Sequence, residues 1–452
     1  MRRSLFIAIF LAALTGAPAA SASEWLPHPP DATWTYSWSD TEYVKTPIKE
    51  KTTVGTQRGA SFTLRWTTQD LGNPPDSIVS IGDVQFQETP AGLINTNWAS
   101  TPPPLELPVL CPTLACNNSL ASPWYYLIWG GRTPVLPEPL LRGAEWTSTG
   151  GAQGDVSSSS RYAGRESVSV PAFPMPVLAA KVVSTVTQAG ALGDPYGSGT
   201  RTVWWVYGVG PVKTTFQHAG GAGAPITTAV LESTSLAPKP PPDDANYFPL
   251  EKGRSLTYRW TNSKHMRKPA VAQFTVDSAA QASARFTVKS VSGPLTVAGS
   301  YGFSTRASGV TNLWGDTQAA TRLTFPRLGP AALPASKRRR FFTPFDLMTF
   351  GFNPLLPAYA AVGATWGSSP ISQDWLNYGV AGSSRIAGFE TVKVPAGRYR
   401  ALTVRSSLKQ AGFPFGSGVR TSWFAPDVGL VKLVFRHGDR SVSTVELIRA
   451  RR

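Results

Sequence analysis

The chain has 452 residues, with 41 Gly, 40 Pro and 15 Trp, 15% charged and 42% hydrophobic residues, and a formal net charge of +16. It is too apolar to be disordered and too long for one ordinary domain. The Gly and Pro load excludes a mainly helical bundle, because inside a helix each Gly costs about 1 kcal/mol and each Pro about 3.

Arg2 and Arg3 precede an apolar run from Leu5 to Leu14, followed by Gly16, Pro18 and the small residues Ala20-Ser21-Ala22. This order of charged, apolar and small residues predicts an export signal over 1–22, cleaved after Ala22. The run is well short of the roughly 18 residues that cross a bilayer, and no later segment is long and apolar enough. Cys111 is the first cysteine, so no thiol stands at the cleavage site for lipid attachment. Export to a periplasmic or extracellular space as a soluble protein is the expectation; the arginine pair also fits a twin-arginine signal.

Trp34, Tyr36 and Trp38 alternate with Thr35 and Ser37, which predicts a strand with one buried face. Cys111 and Cys116 enclose four residues and, in an oxidising compartment, predict a small disulfide loop. Trp124, Tyr125, Tyr126 and Trp129 follow. Such a cluster either lines a groove for an apolar or amphiphilic ligand or belongs to the core.

The chain is then written a second time, at an offset near 222 residues. Trp34 to Trp38 answers Leu256 to Trp260, Gly143-Ala144-Glu145-Trp146 answers Gly363-Ala364-Thr365-Trp366, and Gly164 to Ala172 answers Gly388 to Ala396. Gln188, Arg201-Thr202, Trp204, Phe216 and His218 meet Gln410, Arg420-Thr421, Trp423, Phe435 and His437. Many ordered matches with small drifts in offset predict a tandem duplication. The Pro-rich stretch Ala237 to Asp244 cannot pair as a central strand. The expected organisation is therefore a first β-domain over 23–237, a linker over 238–245 and a second β-domain over 246–452. Leu256, Tyr258 and Trp260, and later Val431, Leu433 and Phe435, alternate with neighbours on the other face. Gly and Pro clusters at Ala189 to Gly199, Val394 to Gly397 and Ala411 to Gly418 read as hairpin connections. The fold class expected is all-β, two tandem, similar, mostly antiparallel curved-sheet or half-barrel domains.

The second copy carries Tyr247-Phe-Pro-Leu250, Val362-Gly363-Ala-Thr-Trp366, Gly388 to Tyr399 and Trp423-Phe-Ala-Pro-Asp-Val-Gly-Leu-Val-Lys432. In these motifs it resembles a family of exported bacterial β-domains of unknown function. The first copy carries a degenerate version, with Trp204 to Lys213 at the last motif. The resemblance implies a curved antiparallel sheet and supplies no catalytic residues.

Charge separates the copies. From Pro240 onward 28 Lys and Arg face 11 Asp and Glu, a net of +17, whereas residues 23–239 hold 13 against 16, a net of −3. A domain of that charge gains from an anionic partner. Its densest cluster, Lys337, Arg338, Arg339 and Arg340 followed by Phe341 and Phe342, fits contact with an anionic lipid or cell-wall polymer or a solvated loop entering the core; single-stranded nucleic acid is the weaker match. Only four histidines occur, and no metal-ligand spacing, nucleophile elbow or phosphate loop is present, so no catalytic residue, metal or cofactor is expected. The matched His218 and His437 read as hydrogen-bonding residues where a strand ends, and Glu166 and Glu390 as scaffold. Three functions stay open: a non-enzymatic envelope protein, a carrier of an apolar or amphiphilic ligand, and a secreted hydrolase.

Overall fold

The protein is described by a computed structural model over residues 24–70, 77–100, 122–128, 135–150, 156–189, 195–220, 223–280, 283–321, 341–368 and 380–452. Its strands form two antiparallel sheets, one from each half of the chain. In the first half the strands are β1 Thr33–Asp40, β2 Val44–Arg58, β3 Ser61–Asp70, β4 Ser77–Thr89, β5 Gly92–Ser100, β6 Leu136–Pro137, β7 Glu145–Gly150, β8 Val156–Val168, β9 Val177–Gln188, β10 Gly199–Val206, β11 Gly210–His218 and β12 Ile226–Thr234. In the second they are β13 Ser255–Asn262, β14 Ala270–Ala280, β15 Ser283–Ser292, β16 Leu295–Arg306, β17 Gly309–Thr321, β18 Thr365–Gly367, β19 Val380–Val394, β20 Gly397–Gln410, β21 Gly418–Ala425, β22 Gly429–His437 and β23 Val442–Arg451.

The first sheet runs β6-β5-β4-β3-β2-β1-β12-β11-β10-β9-β8-β7 and the second β17-β16-β15-β14-β13-β23-β22-β21-β20-β19-β18. The two sheets follow the same strand plan. Each sheet starts in the middle, meanders outward to one edge, crosses to the far edge and meanders back to pair its last strand with its first. A bridge between Val310 and Leu356 stands where the two-residue β6 sits in the first sheet.

Local chemistry explains the elements. β1 and β13 share one alternation of half-buried and buried residues, with Trp34, Tyr36 and Trp38, and Tyr258 and Trp260, facing the core. Val394 closes β19 and Gly397 opens β20 at φ +142°, a conformation only glycine adopts without strain. Two six-residue helices, α1 Pro123–Ile128 and α2 Pro344–Thr349, are buried along their whole length. Phe345 of α2 touches Tyr258, Phe274, Phe286, Tyr301 and Phe303 on one arm of its sheet. Arg420 on the other arm reaches the carbonyls at the end of the same helix. Each sheet thus curves around a helical plug.

The halves touch at loops. Ala307 N–H donates to Pro90 O at 3.0 Å, joining two hairpin tips. Tyr359 Oη accepts from Leu140 N at 3.0 Å and Trp25 Nε1 at 3.3 Å. The stretch 236–246 has no regular secondary structure yet is pinned: Lys239 N donates to Tyr207 O, and buried Asp244 binds Tyr162, Arg142 and Arg165.

Candidate functional site

Inside each sheet the polar groups serve the plug. In the second half Thr343 caps α2, its hydroxyl accepting from Asp346 N at 3.1 Å, while Asp346 Oδ2 accepts from Phe342 N and Thr343 N and Oδ1 from Tyr301 Oη. In the first half the carboxyl group comes from the sheet instead. Ser122 Oγ donates to Glu50 Oε1 at 3.0 Å and accepts from Trp124 N, and Trp124 Nε1 donates to Thr52 Oγ1 at 2.7 Å. At the far end of each helix a buried arginine supplies donors: Arg201 Nη1 to Tyr126 O and Leu127 O, and Arg420 Nη1 to Leu347 O and Phe350 O. Burial lowers their pKa values to about 10 and about 9, so both stay protonated at neutral pH.

Trp124, Tyr125 and Tyr126 lie on α1 with 1%, 4% and 1% exposure. Trp124 packs edge-on against Trp34, Tyr36 and Phe86, and Tyr125 against Trp66 and Trp98. Among the described residues these three rings are packed into the core of the first sheet. Phe341 is likewise core, against Phe350 and Phe415, and Phe342 is half-buried. Trp129, Cys111, Cys116, Lys337, Arg338, Arg339 and Arg340 lie outside the described residues.

The paired histidines close their strands as hydrogen-bonding residues. His437 Nδ1–H donates to Phe415 O at 2.6 Å and Nε2 faces Ser443 Oγ at 2.9 Å. His218 makes the equivalent contacts with Tyr196 O and Thr227 Oγ1. Thr227 Oγ1 also donates to Asp40 Oδ2 at 2.7 Å, and Asp40 lies 3.7 Å from His218 Nε2. An acid, a histidine and a hydroxyl therefore meet, but not in a catalytic order. The acid and the hydroxyl share one ring nitrogen, a backbone carbonyl holds the other, and the acid and imidazole side chains are fully buried. Asn262 and Ser443 take the places of Asp40 and Thr227 in the second half.

A cleft of about 420 Å³ lies between the halves, lined by Leu141, Trp146 and Leu250 and by Glu138, Glu145, Glu251 and Lys252. No histidine lines it, and Glu251 is paired with Arg254 at 3.1 Å. Among the described residues no group of three or more His, Cys, Asp or Glu could hold a metal ion, and no helix is long and apolar enough to cross a membrane.

The outer face of the second sheet is different. Arg385 stands directly opposite Arg405, Lys409 lies farther along β20 on the same face, and Arg436 is opposite the 41%-exposed Val419. All four cations are exposed, and among the described residues none is in an ion pair. Nearby carboxylates are engaged elsewhere. Glu446 binds Arg259 at 2.6 Å and Lys432 at 3.9 Å, Glu390 accepts from Trp423 Nε1 at 3.0 Å, and Asp439 binds His265 at 3.0 Å. At the same register positions the first sheet carries Arg161, Val183, Thr187 and Gln217. Sequence reading passed over this face because its members are far apart along the chain. Aligning the halves strand by strand, and keeping only outward residues, is the signal that finds it.

No family model matches the chain, and no curated protein matches it. Among solved structures it is similar to a protein described as exported, with a YmcC-like fold, from Bacteroides fragilis NCTC 9343 (16% identity over 46% of this chain and 100% of that one, TM-score 0.23). It is also similar to a protein described as a lipoprotein from Parabacteroides distasonis ATCC 8503 (14%, 48% and 100%, TM-score 0.26). A third is the hypothetical lipoprotein YmcC of Escherichia coli K12 (12%, 47% and 87%, TM-score 0.21). These scores are low, and the fold stands on the strand order and register described above.

Proposed function

We propose that the chain is an exported, non-enzymatic protein built from two copies of one β module, divided within 238–245, whose second copy holds it against an anionic component of the cell envelope. Residues 1–22 act as the export signal. The observation that carries this reading is the charge difference on a shared plan: −3 over residues 23–239 against +17 from Pro240 onward. Two copies of a fold need the same core but no particular surface charge, and a surface at that potential repels itself unless an anion answers it.

The test is retention of the full chain on isolated envelope polymer and on vesicles containing phosphatidylglycerol, as NaCl rises from about 50 to about 500 mM, where the screening length shrinks well below 10 Å. Retention at low salt that is lost at high salt is expected. Absence of retention, or retention indifferent to salt, overturns the proposal.

A further inference from the structure

We propose that the anionic partner is a flexible linear polymer bearing phosphate groups, and that it docks on the outer face of β19 to β22 through Arg385, Arg405, Lys409 and Arg436. This rests on the reading of the second copy as an anion-contacting unit and assigns that contact a place and a ligand chemistry.

Three observations carry it. First, like charges directly opposite on neighbouring strands destabilise a sheet, and Arg385 faces Arg405 with no ion pair to either among the described residues. The first sheet avoids that clash by placing Val183 opposite Arg161. The second sheet keeps it, as a surface that meets an anion would. Secondly, the four cations spread over a strip rather than a point. β19 to β22 spans three strand spacings, about 14 Å, and Arg405 to Lys409 about 13 Å along the strand. One small anion cannot reach all four, whereas a chain with recurring anions can.

Thirdly, geometry separates the possible partners. The sheet wraps its helical plug, so its outer face is convex, and a flexible polymer follows a convex face where a planar bilayer touches only part of it. The exposed apolar side chain among the four cations is Val419, Phe341 and Phe345 are fully buried, and the ring on this face, Trp423, is half-buried and held by Glu390 and beneath Lys432 rather than free to enter a lipid surface. Two arginines directly opposite each other on neighbouring strands stand close enough to offer both guanidinium groups to one anion. A carboxylate offers two oxygens in one plane, which a single arginine fork fills; a phosphate offers oxygens out of that plane to a second fork.

The experiment uses the full chain carrying Arg405→Val, Lys409→Thr and Arg436→Gln together, the residues that the same positions hold in the first sheet. A control carries Arg267→Gln, Lys268→Thr and Lys289→Thr, an equal charge loss at exposed sites elsewhere in the second half. Affinity is measured for long-chain polyphosphate, polyglutamate and phosphatidylglycerol vesicles, with melting curves confirming that both variants fold. The expected result is polyphosphate bound in preference to the other two. The face variant should lose about tenfold or more of that affinity and show a shallower salt dependence, and the control should lose less than about threefold. Equal losses in the two variants, or preference for polyglutamate or vesicles, overturn this inference while the envelope reading stands. Failure of the unmodified chain to bind any of the three overturns this inference, and failure to be retained on isolated envelope polymer as well overturns both.

Discussion

Glu50 marks a difference between the interiors of the two halves. Its carboxyl is fully buried, with Ser122 on Oε1, and Ala272 takes its register position in the second sheet. Burial pushes its pKa well above the ordinary carboxyl range, against the pull of Ser122 and Thr52. The folded protein therefore holds a proton that the unfolded chain releases, and stability falls as pH rises from about 4 toward the folded pKa. Glu50→Gln mimics the protonated group. It should flatten this alkaline loss and raise the urea midpoint at pH 8 by an amount corresponding to about 1–3 kcal/mol, the desolvation cost of a buried polar group. An unchanged pH profile in the variant would show that Glu50 is not the titrating group. His437 has the opposite sign. Burial lowers its pKa to about 4, so its contribution is complete above about 6.5 and is lost as pH falls to 4. Its full effect is roughly 3 kcal/mol.

At the scale of elements, strands were readable and plugs were not. Alternation at Trp34 to Trp38 and at Leu256 to Trp260 exposed β1 and β13, because a half-buried strand writes its period of two into a few residues. The turn at Val394 to Gly397 was legible for a similar local reason. Helices of six residues make less than two turns, too few to print a 3.6-residue period, and α1 and α2 are buried all round. Their existence depends on distant partners. Arg201 and Arg420 showed in the sequence only as a matched pair, and their role appears when each is seen to hold the carbonyls at a helix end. Arg420→Met should destabilise the second half by about 3 kcal/mol, since it strands two buried carbonyls. Arg420→Lys should recover little, because one ammonium does not reproduce the guanidinium fork. Chemical denaturation of both variants checks this, and full recovery by lysine would reduce the arginine's role to its charge. The same limit hid the basic face. Lys337 to Arg340 drew attention because they are consecutive, whereas a sheet face gathers alternate residues from four strands.

For the whole molecule, the decisive question is whether the two sheets act as one body. A Pro-rich stretch is expected to be a spacer, yet Asp244 within it is 5% exposed and accepts from Tyr162 Oη at 2.5 Å and Arg142 Nη2 at 3.2 Å, with Arg165 Nε at 3.6 Å. Its backbone oxygen also accepts from Arg142 N at 2.7 Å. Across the junction Tyr359 Oη takes two donors from the first half. Asp244 is buried while its arginine partners are partly exposed, so removing it costs about 1–3 kcal/mol, more than a surface ion pair is worth, and leaves Tyr162 Oη without its acceptor. Asp244→Ala should therefore free the stretch 237–244 from the first half while both sheets, whose cores do not include it, keep their own melting transitions. Proteolytic cleavage in that stretch should rise by an order of magnitude or more, and small-angle X-ray scattering should show a larger radius of gyration. Tyr359→Phe, which loses the acceptor for Leu140 N and Trp25 Nε1 and the hydrogen bond to Glu138, should give a smaller change of the same kind. If Asp244→Ala leaves cleavage and radius unchanged, the loop contacts at Pro90 and Tyr359 fix the halves by themselves, and the charged network is incidental to the arrangement that sets the basic outer face relative to the first sheet.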